Sequence, residues 1–315
     1  LTGIWGQSHA GGSFADELRH AGFDGIVVRG KSTKPVYLWL YNTKAEIRDA
    51  GHIWGKDTYE VSDLLQGETD KKASVACIGQ AGERLVKLAG IMNDGKQGRI
   101  AARCGLGALM GSKKLKAIAA RGTLPLTYYD EEKFKEAARR ILIMFPLQKP
   151  MGELAEREAG VHMFSVLGRV PAKNWSQGTF EQDYVYWDAM RDRSVVKPLY
   201  CRHCGYSCGE SRQTASGERY MVWEAWGPLG TNCLIANPEA LQQAYRLCQK
   251  YGMDSISTGA VVAFAMECFE KGLISKDDTD GIELTWGNHK AMLEMVRKIG
   301  CLLYTSPSPR DRQKS

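Results

Sequence analysis

The sequence has no long apolar run and no stretch in which charge of one sign accumulates. Its most apolar segment, Gly259–Cys268, falls short of the ~18 residues that cross a bilayer and is interrupted by Glu267. No basic-then-apolar leader follows Leu1, so secretion is not predicted. The net charge of +6 comes from lysines and arginines that alternate with acids, without an aromatic-rich basic groove. These absences predict that neither a membrane nor a nucleic acid is a partner.

What is present is the composition of an ordinary globular protein. Of the 315 residues, 43% are hydrophobic, 25% are charged and 9% are aromatic. This length suits about two domains with a full hydrophobic core. The nine cysteines are an odd number, and a chain of this size needs no disulfide framework. We therefore expect a reducing, cytoplasmic location.

The last residues differ in character from the rest. From Cys301 to Ser315 a helical pattern gives way to a run rich in serine, proline and arginine that resembles translated adaptor sequence. We expect residues 301–315 to be a non-native tail, and Cys301 is accordingly not a candidate metal ligand.

Residue patterns predict a β-rich region over 1–124 and a mainly helical region over 125–300. In the first region, short runs of β-branched and aromatic residues between glycine-containing turns predict strands, with two short helices among them. After Pro125 the apolar spacing becomes helical. The predicted strands are Phe23–Arg29, Pro35–Tyr41, Ala45–Asp49, Ser74–Ile78 and Lys116–Ala120. The predicted helices are Ser13–His20, with Ser13 as its cap, Val61–Leu65, Asp130–Phe145, Pro238–Tyr251, Ser255–Lys271 and His289–Ile299.

The most informative motif is a loop with three cysteines, Cys201, Cys204 and Cys208. Thiolate sulfur selects zinc or iron–sulfur clusters over hard cations, and three ligands from one loop with a distant fourth suit a 4Fe–4S cluster. A zinc site usually has a second Cys-x-x-Cys pair or histidines at helical spacing, and the next histidine after His203 is His289. A cluster is the favoured interpretation, and three packing or redox thiols are the alternative.

Three segments occur in the order found in one enzyme family. The first runs from Leu1 to Val28, the second from Ala89 to Ala117, and the third joins the cysteine loop to Trp223–Gly230. Together they resemble the tungsten-dependent aldehyde:ferredoxin oxidoreductase family. The resemblance implies an α+β fold, in which a two-sheet, sandwich-like pterin-binding domain precedes a mainly helical domain that carries the cluster loop. It also implies that the chain is the middle of a longer enzyme.

The resemblance implies a tungsten or molybdenum ion held by two pterins, with a 4Fe–4S cluster beside one of them. Cys201, Cys204 and Cys208 would be three of the four cluster ligands. Backbone N–H groups and cations are the groups that hold pterin phosphates. The residues implied to contact the cofactor are His9, Gly11, Gly12, Arg103, Cys104, Gly105, Gly107, Gln249, Gly252, Met253 and Asp254.

Some of these positions depart from the family pattern or have a second interpretation. His9 stands where the family has an asparagine that helps to hold a bridging magnesium, and magnesium prefers oxygen ligands. Gln249 replaces the first aspartate of an Asp-x-x-Gly-Leu-Asp motif, although its amide can still hydrogen-bond a pterin edge. Met253 belongs to the same motif, and its apolar side chain also suits core packing. For Gly105 and Gly107, ordinary turn chemistry is the alternative.

The one predicted catalytic residue is Glu224, which aligns with a family glutamate at the metal pocket. Its place between Trp223 and Trp226 predicts burial, and burial raises the pKa of a carboxyl and suits a proton donor or acceptor. The alternative is a helix-start acid or an ion-pair partner. Asn232 and Cys233 could line the same pocket or pack in the core.

The resemblance implies oxidation of a small aldehyde to a carboxylic acid, with electrons passed through the cluster to ferredoxin or a similar carrier. An alternative within the family is the tungsten subunit of aryl-coenzyme A reductases of the benzoyl-coenzyme A type. A hypothesis of another class is a non-enzymatic zinc or iron–sulfur module. A homodimer is compatible with each. Because a fourth cluster ligand and a catalytic histidine are implied to follow Ile299, the fragment itself is expected to be inactive.

Overall fold

The first region of the chain is built on one six-stranded sheet. The structure is a computed structural model that describes residues 5–144, 167–182, 195–202, 204, 212–214 and 216–301. The strands are β1 (Val36–Tyr41), β2 (Lys44–Asp49), β3 (Ser74–Cys77), β4 (Ile91–Asn93), β5 (Arg99–Ala101) and β6 (Leu115–Arg121). They lie in the order β2-β1-β6-β3-β4-β5. β1 and β6 are parallel, and all other neighbours in the sheet are antiparallel.

Short helices follow or interrupt these strands. They are α1 (Phe14–His20), α2 (Thr58–Glu68), α3 (Gln80–Glu83) and α4 (Leu106–Ser112). α2 has a full capping box, in which Asp57 accepts the Glu60 N–H at 2.9 Å and Glu60 accepts the Asp57 N–H at 3.0 Å. Ser13 precedes α1 but does not cap it, because its hydroxyl donates to Asp94 at 2.5 Å instead.

The second region is mainly helical. Its elements are α5 (Glu131–Met144), the antiparallel ribbon β7 (Val195–Pro198) and β8 (Arg212–Thr214), α6 (Trp223–Leu229), α7 (Pro238–Tyr251), α8 (Ser255–Glu270) and α9 (His289–Cys301). α7 has Asn237 as its N-cap, proline in its first turn and Gly252 after its last turn, where φ is +71°. Its start and end are therefore set by local residue chemistry.

The helical core reaches into the first region. Trp226, Tyr245 and Met292 lie at its centre and are almost fully buried. The same core includes Ala81 of α3 and Ala108 of α4. Since α4 also packs on β6, these two helices join the sheet to the helical core. The loop that precedes α4 forms part of the site.

The α+β class expected from the sequence is confirmed, with two corrections. The strands described within residues 1–124 form one sheet, whereas a two-sheet, sandwich-like arrangement was expected. The segment Phe23–Arg29 is irregular rather than a strand. Val27 within it is 83% exposed, so the apolar residues that suggested a strand have no sheet to pack on.

Other expectations concern the ends of the regions. β6 ends at Arg121 and α5 begins at Glu131; the domain division at 124/125 stays a prediction. Cys301 is the last residue of α9, and residues 302–315 lie outside the described residues. Across the described parts of the chain, no helix combines the length and the apolarity that a membrane span needs.

Candidate cofactor site

A left-handed turn, Arg103–Gly105, leads into α4, and its first two residues are exposed. Arg103, Cys104 and Gly105 have φ values of +63°, +56° and +68°. The left-handed region costs a non-glycine residue roughly 1–2 kcal/mol, so this turn holds strain at two adjacent positions. Strain of this kind is concentrated at binding and catalytic sites. The turn forms one wall of a cavity of about 650 Å³.

The second predicted cofactor motif, residues 249–254, approaches the same cavity from the helical region. Ser257 in the first turn of α8 lines the cavity together with Leu88. The Ser257 hydroxyl donates to Asp254 at 2.5 Å, and the Asp254 N–H donates to the Leu88 carbonyl at 2.9 Å. Asp254, the last residue of the second motif, therefore contacts two residues of the cavity wall.

Within this motif, Gln249 has an unusual environment. Its side chain is 2% exposed, and within the described parts of the chain its Oε1 has no hydrogen-bond partner. A buried polar atom without a partner costs about 1–3 kcal/mol. Gly98 makes the room for it, since a Cβ at that position would lie 2.7 Å from Gln249 Oε1. The arrangement leaves a buried acceptor without a partner among the described residues.

Backbone contacts fix the rest of the motif. Gly252 has φ of +71°, and its carbonyl accepts the Gly90 N–H at 2.9 Å. Met253 is fully buried and forms a β-bridge with Ala89. Met253 therefore packs in the core, which is the second of the two interpretations given to it. Asp254 is the N-cap of α8 and accepts the N–H groups of Ile256 and Ser257.

The N-terminal segment 5–12 links the Arg103–Gly105 turn to the cysteine loop. At its start, the Cys104 thiol donates to the Gln7 carbonyl at 3.4 Å, and the Ser8 hydroxyl donates to the Ala102 carbonyl. At its end, a Cβ on Gly11 would lie 2.6 Å from Cys201 Sγ. Glycine suits this close approach, and the segment around Gly11 forms a cradle beside the Cys201 side chain.

Gly12 lies between the cysteine loop and an acidic side chain. Its φ is +105°, and any Cβ there would overlap Asp94 Oδ2. Asp94 in turn accepts the Ser13 N–H at 3.0 Å, while Asn93 donates to the Gly11 carbonyl at 2.8 Å. The Gly11–Gly12 pair is thus held by the end of β4.

The cysteine loop begins with a tight turn. The Cys204 N–H donates to the Cys201 carbonyl at 3.1 Å. Cys201 is half-buried and Cys204 is exposed. Cys208 and His203 lie outside the described residues, and in the described ranges no three metal-binding side chains form a group. The turn therefore accounts for two of the three predicted thiolates.

An ion-pair network that no sequence motif predicted anchors this turn. Arg202 pairs with Glu17, which is 2% exposed, and its Nε lies 2.8 Å from Asp16 Oδ2. Glu17 also accepts from Arg121 at 3.0 Å. Burial by itself raises the pKa of Glu17, but hydrogen bonds from Gly122, Arg121 and Arg202 outweigh it and hold that pKa below its usual range. The carboxylate is therefore kept ionised inside the protein.

Comparison with known proteins identifies the architecture around this site. A family model described as "Aldehyde ferredoxin oxidoreductase, N-terminal domain" matches residues 1–122, and one described as "Aldehyde ferredoxin oxidoreductase, domains 2 & 3" matches residues 146–301. The chain belongs to the aldehyde ferredoxin oxidoreductase family. The resemblance inferred from the sequence is thereby confirmed.

Two relatives and one solved structure can be compared with the chain over nearly all of its length. The tungsten-containing aldehyde ferredoxin oxidoreductases of Thermococcus kodakarensis and Pyrococcus furiosus are each 36% identical to the chain over 95% of its length. The chain spans about half the length of these curated relatives, 50% of each. The solved structure is the active site complex BamBC of benzoyl coenzyme A reductase with 1,5 dienoyl-CoA. The chain matches it with a TM-score of 0.76 and 29% identity, over 93% of this chain and 47% of that one.

The structure corrects the environment expected for Glu224 in this family member. Its side chain is exposed in the first turn of α6, whereas burial between two tryptophans was expected. Trp226 is 1% exposed and Glu224 lies two positions earlier. Two positions on a helix are about 200° apart, so one side chain faces the core and the other faces away. The acid lies where a helix N-terminus favours negative charge.

Of the remaining predicted residues, one lies at the surface and the others are packed in the core. His9 is exposed, with Nε2 2.9 Å from Gln7 Nε2. Gly107 is buried, and a Cβ at this position would overlap the Gly90 carbonyl. Glycine here therefore lets α4 pack closely against residue 90. Asn232 accepts the Trp175 N–H at 3.0 Å, and burial raises the pKa of the Cys233 thiol. Asn232 and Cys233 are thus core residues.

Proposed function

We propose that the full-length protein is a tungsten or molybdenum bis-pterin oxidoreductase. It oxidises small aldehydes to carboxylic acids and passes the electrons through a 4Fe–4S cluster to ferredoxin or a similar carrier. The names of the curated relatives support the metal and the reaction class. The observation that carries the proposal is that segment 5–12 touches both the Arg103–Gly105 turn and Cys201.

The residues at the cavity suit the anionic part of a pterin cofactor. Arg103 offers a planar guanidinium that can pair with phosphate oxygens through two parallel hydrogen bonds. Cys104 and Gly105 beside it present main-chain N–H groups in left-handed conformations. A metal held by pterin dithiolenes supplies two-electron redox chemistry at an aldehyde carbon. What this chain contributes is the binding and orientation of that group.

A partner for the pterin ring is available at the second motif. The buried Oε1 of Gln249 can accept a hydrogen bond from a pterin N–H, which would satisfy the atom that has no partner among the described residues. Asp254 holds Ser257 at the cavity wall and is the second candidate in the motif. Gly252 gives both residues their positions by ending α7.

The cysteine loop suits an iron–sulfur cluster. Cys201, Cys204 and Cys208 would be three ligands, and soft thiolates of this spacing favour such a cluster. The cradle at Gly11 brings the Cys201 sulfur against a segment that also contacts the proposed pterin site. His9 lies on that segment and would take the place of a magnesium ligand. A neutral imidazole is a poorer magnesium ligand than an amide oxygen, so any magnesium there would rely on other oxygens.

Glu224 is proposed to accept or donate the substrate's proton. Its exposure on α6 leaves the carboxylate accessible to a substrate. A carboxylate in this position can act as a general base without a buried partner, although it gains no rate from desolvation.

Metal analysis and activity of the full-length protein test the main proposal. We expect tungsten or molybdenum together with iron, and viologen reduction that depends on an aldehyde. Cys201→Ser should lose iron, while Cys268→Ser, at a half-buried cysteine of α8, should keep it. Zinc alone, with no tungsten, molybdenum or iron, would instead support a non-enzymatic module.

A second reaction is favoured by one observation. The chain aligns over 93% of its length with the BamBC complex of benzoyl coenzyme A reductase. Reduction of an aromatic coenzyme A thioester is therefore the alternative. Turnover of benzoyl-coenzyme A with a strong reductant, in the absence of activity on a panel of aldehydes, would establish it.

A further inference from the structure

We propose that Arg202 is a positioning residue for the cluster: Glu17 and Asp16 of α1 hold its guanidinium, which docks the Cys201 turn and keeps a fixed positive charge beside the cluster. The inference rests on the cluster of the proposed function. Arg202 is next to one proposed ligand in the sequence and reaches across to the other region of the chain. No ligand role is assigned to Arg202 itself.

The hydrogen bonds of the buried Glu17 carboxylate show why Arg202 is required. Its Oε2 accepts from Arg121 at 3.0 Å and from the Gly122 N–H at 3.2 Å. Its Oε1 faces Arg202. A buried carboxylate is costly unless each oxygen is paired. Arg202 is thus the partner that completes Glu17, and the cysteine turn is tied to a buried charge.

The contact also has the geometry of a fixed clamp. The guanidinium bridges two consecutive acids of α1, with Nη1 on Glu17 and Nε 2.8 Å from Asp16. At the other end of the residue, the Arg202 N–H donates to the Gly12 carbonyl at 3.3 Å. Backbone and side chain of Arg202 are both held, so the turn that carries Cys201 is pinned against the Gly11 cradle. Lysine has the charge but not the fork that spans two acids.

The charges around the turn predict an electrostatic effect. Glu17, Asp16, Arg121 and Arg202 contribute two negative and two positive charges. Reduction adds one negative charge to a cluster, and a nearby cation stabilises the reduced form. Losing the Arg202 charge should therefore lower the midpoint potential. Losing the Glu17 charge, with both arginines kept, should raise it.

The test is a redox titration of the full-length holoenzyme, in which the cluster is followed by electron paramagnetic resonance. We expect Arg202→Gln to shift the midpoint to more negative values and Glu17→Gln to shift it to more positive values. Each shift should change the ratio of reduced to oxidised cluster at fixed potential by about three- to tenfold. Arg19→Gln is the matched control, because Arg19 is on the same helix and pairs with the exposed Asp24. It should leave the midpoint unchanged.

Arg202→Lys keeps the charge and should keep the midpoint while lowering iron content. If Arg202→Gln binds no iron, a positive shift in Glu17→Gln with the wild-type midpoint in Arg202→Lys supports the inference. Shifts of the same sign in the Arg202→Gln and Glu17→Gln variants, or no shift at full iron content, would overturn it. A wild-type holoenzyme without a 4Fe–4S signal would overturn the proposed function itself, and this inference with it.

Discussion

The two predicted cofactor motifs, the Arg103–Gly105 turn and the segment 249–254, are built in opposite ways. The turn Arg103–Gly105 is strained, and its first two side chains are exposed and contribute little to the core. The segment 249–254 is buried and bonded to residues 88–90 by main-chain contacts. A substitution in the turn should therefore change cofactor binding alone, whereas one in the buried segment changes binding and folding together. We therefore expect the largest losses of stability in the buried segment and the smallest in the turn.

The largest effect is expected from Gly252→Ala. Alanine would adopt the left-handed region at a cost of roughly 1–2 kcal/mol, and its Cβ would lie 2.7 Å from the Gly79 N atom. Overpacking adds typically about 1–3 kcal/mol. Gly272→Ala is the matched control, because Gly272 follows α8 with φ of +67° and has open space around it. In denaturant unfolding of the full-length protein, we expect Gly252→Ala to lose about 1–3 kcal/mol more than the control. Equal losses would show that the segment is not tightly packed.

A smaller loss is expected from Asp254→Ala. Asp254 is the N-cap of α8, and removing such a cap costs about 0.5–2 kcal/mol. Asn237→Ala, at the N-cap of α7, removes a similar bond, since Asn237 accepts the Ala240 N–H at 2.9 Å. Both variants should unfold at similar denaturant concentrations. Only Asp254→Ala should also lose tungsten or molybdenum, measured by metal analysis, because Asp254 holds Ser257 at the cavity. Equal metal contents in the two variants would show that Asp254 acts only as a helix N-cap and has no role in cofactor binding.

These local features are the part of the fold that the sequence predicts well. α7 begins at Pro238 and ends before Gly252 as expected, because proline in a first turn and glycine after a last turn are local signals. The irregular segment Phe23–Arg29 was missed for the opposite reason. Its apolar residues suit a strand, but a strand also needs a neighbour, and a neighbour is set by the fold.

The candidate site shows the same division. The family resemblance selected Cys104, Gly11 and Cys201, and in the structure segment 5–12, which includes Gly11, contacts both cysteines. The pairing of Glu17 with Arg202 has no sequence signal, because the two residues are separated by 185 positions. The exposure of Glu224 was also missed: neighbouring tryptophans in the sequence predicted burial, while the helix turns Glu224 away from Trp226.

A third prediction concerns the buried acceptor of the second motif. Gln249→Met has a similar shape and removes the Oε1 atom that lacks a partner among the described residues. Replacing an unsatisfied buried polar atom by an apolar group is close to neutral, so stability of the cofactor-free protein should change by less than about 1 kcal/mol. Metal and pterin contents should fall, because the proposed acceptor for the pterin ring is gone. A large loss of stability would mean that the amide holds the fold rather than the cofactor.

A fourth prediction, with the smallest effect on stability, is Arg103→Gln. The side chain is exposed, and exposed substitutions of this kind usually change stability by within about 0.5 kcal/mol. Cofactor content should nevertheless fall, because the guanidinium that we propose to pair with phosphate oxygens is lost. Lys87→Gln is the control, since Lys87 is an exposed cation that lines the same cavity. Tungsten and pterin content, measured beside the unfolding midpoint, should separate the two variants. If both variants lose cofactor equally, the cavity needs positive charge but not the paired hydrogen bonds of the Arg103 guanidinium. The Arg103–Gly105 turn would then contribute less specific binding than the segment 249–254.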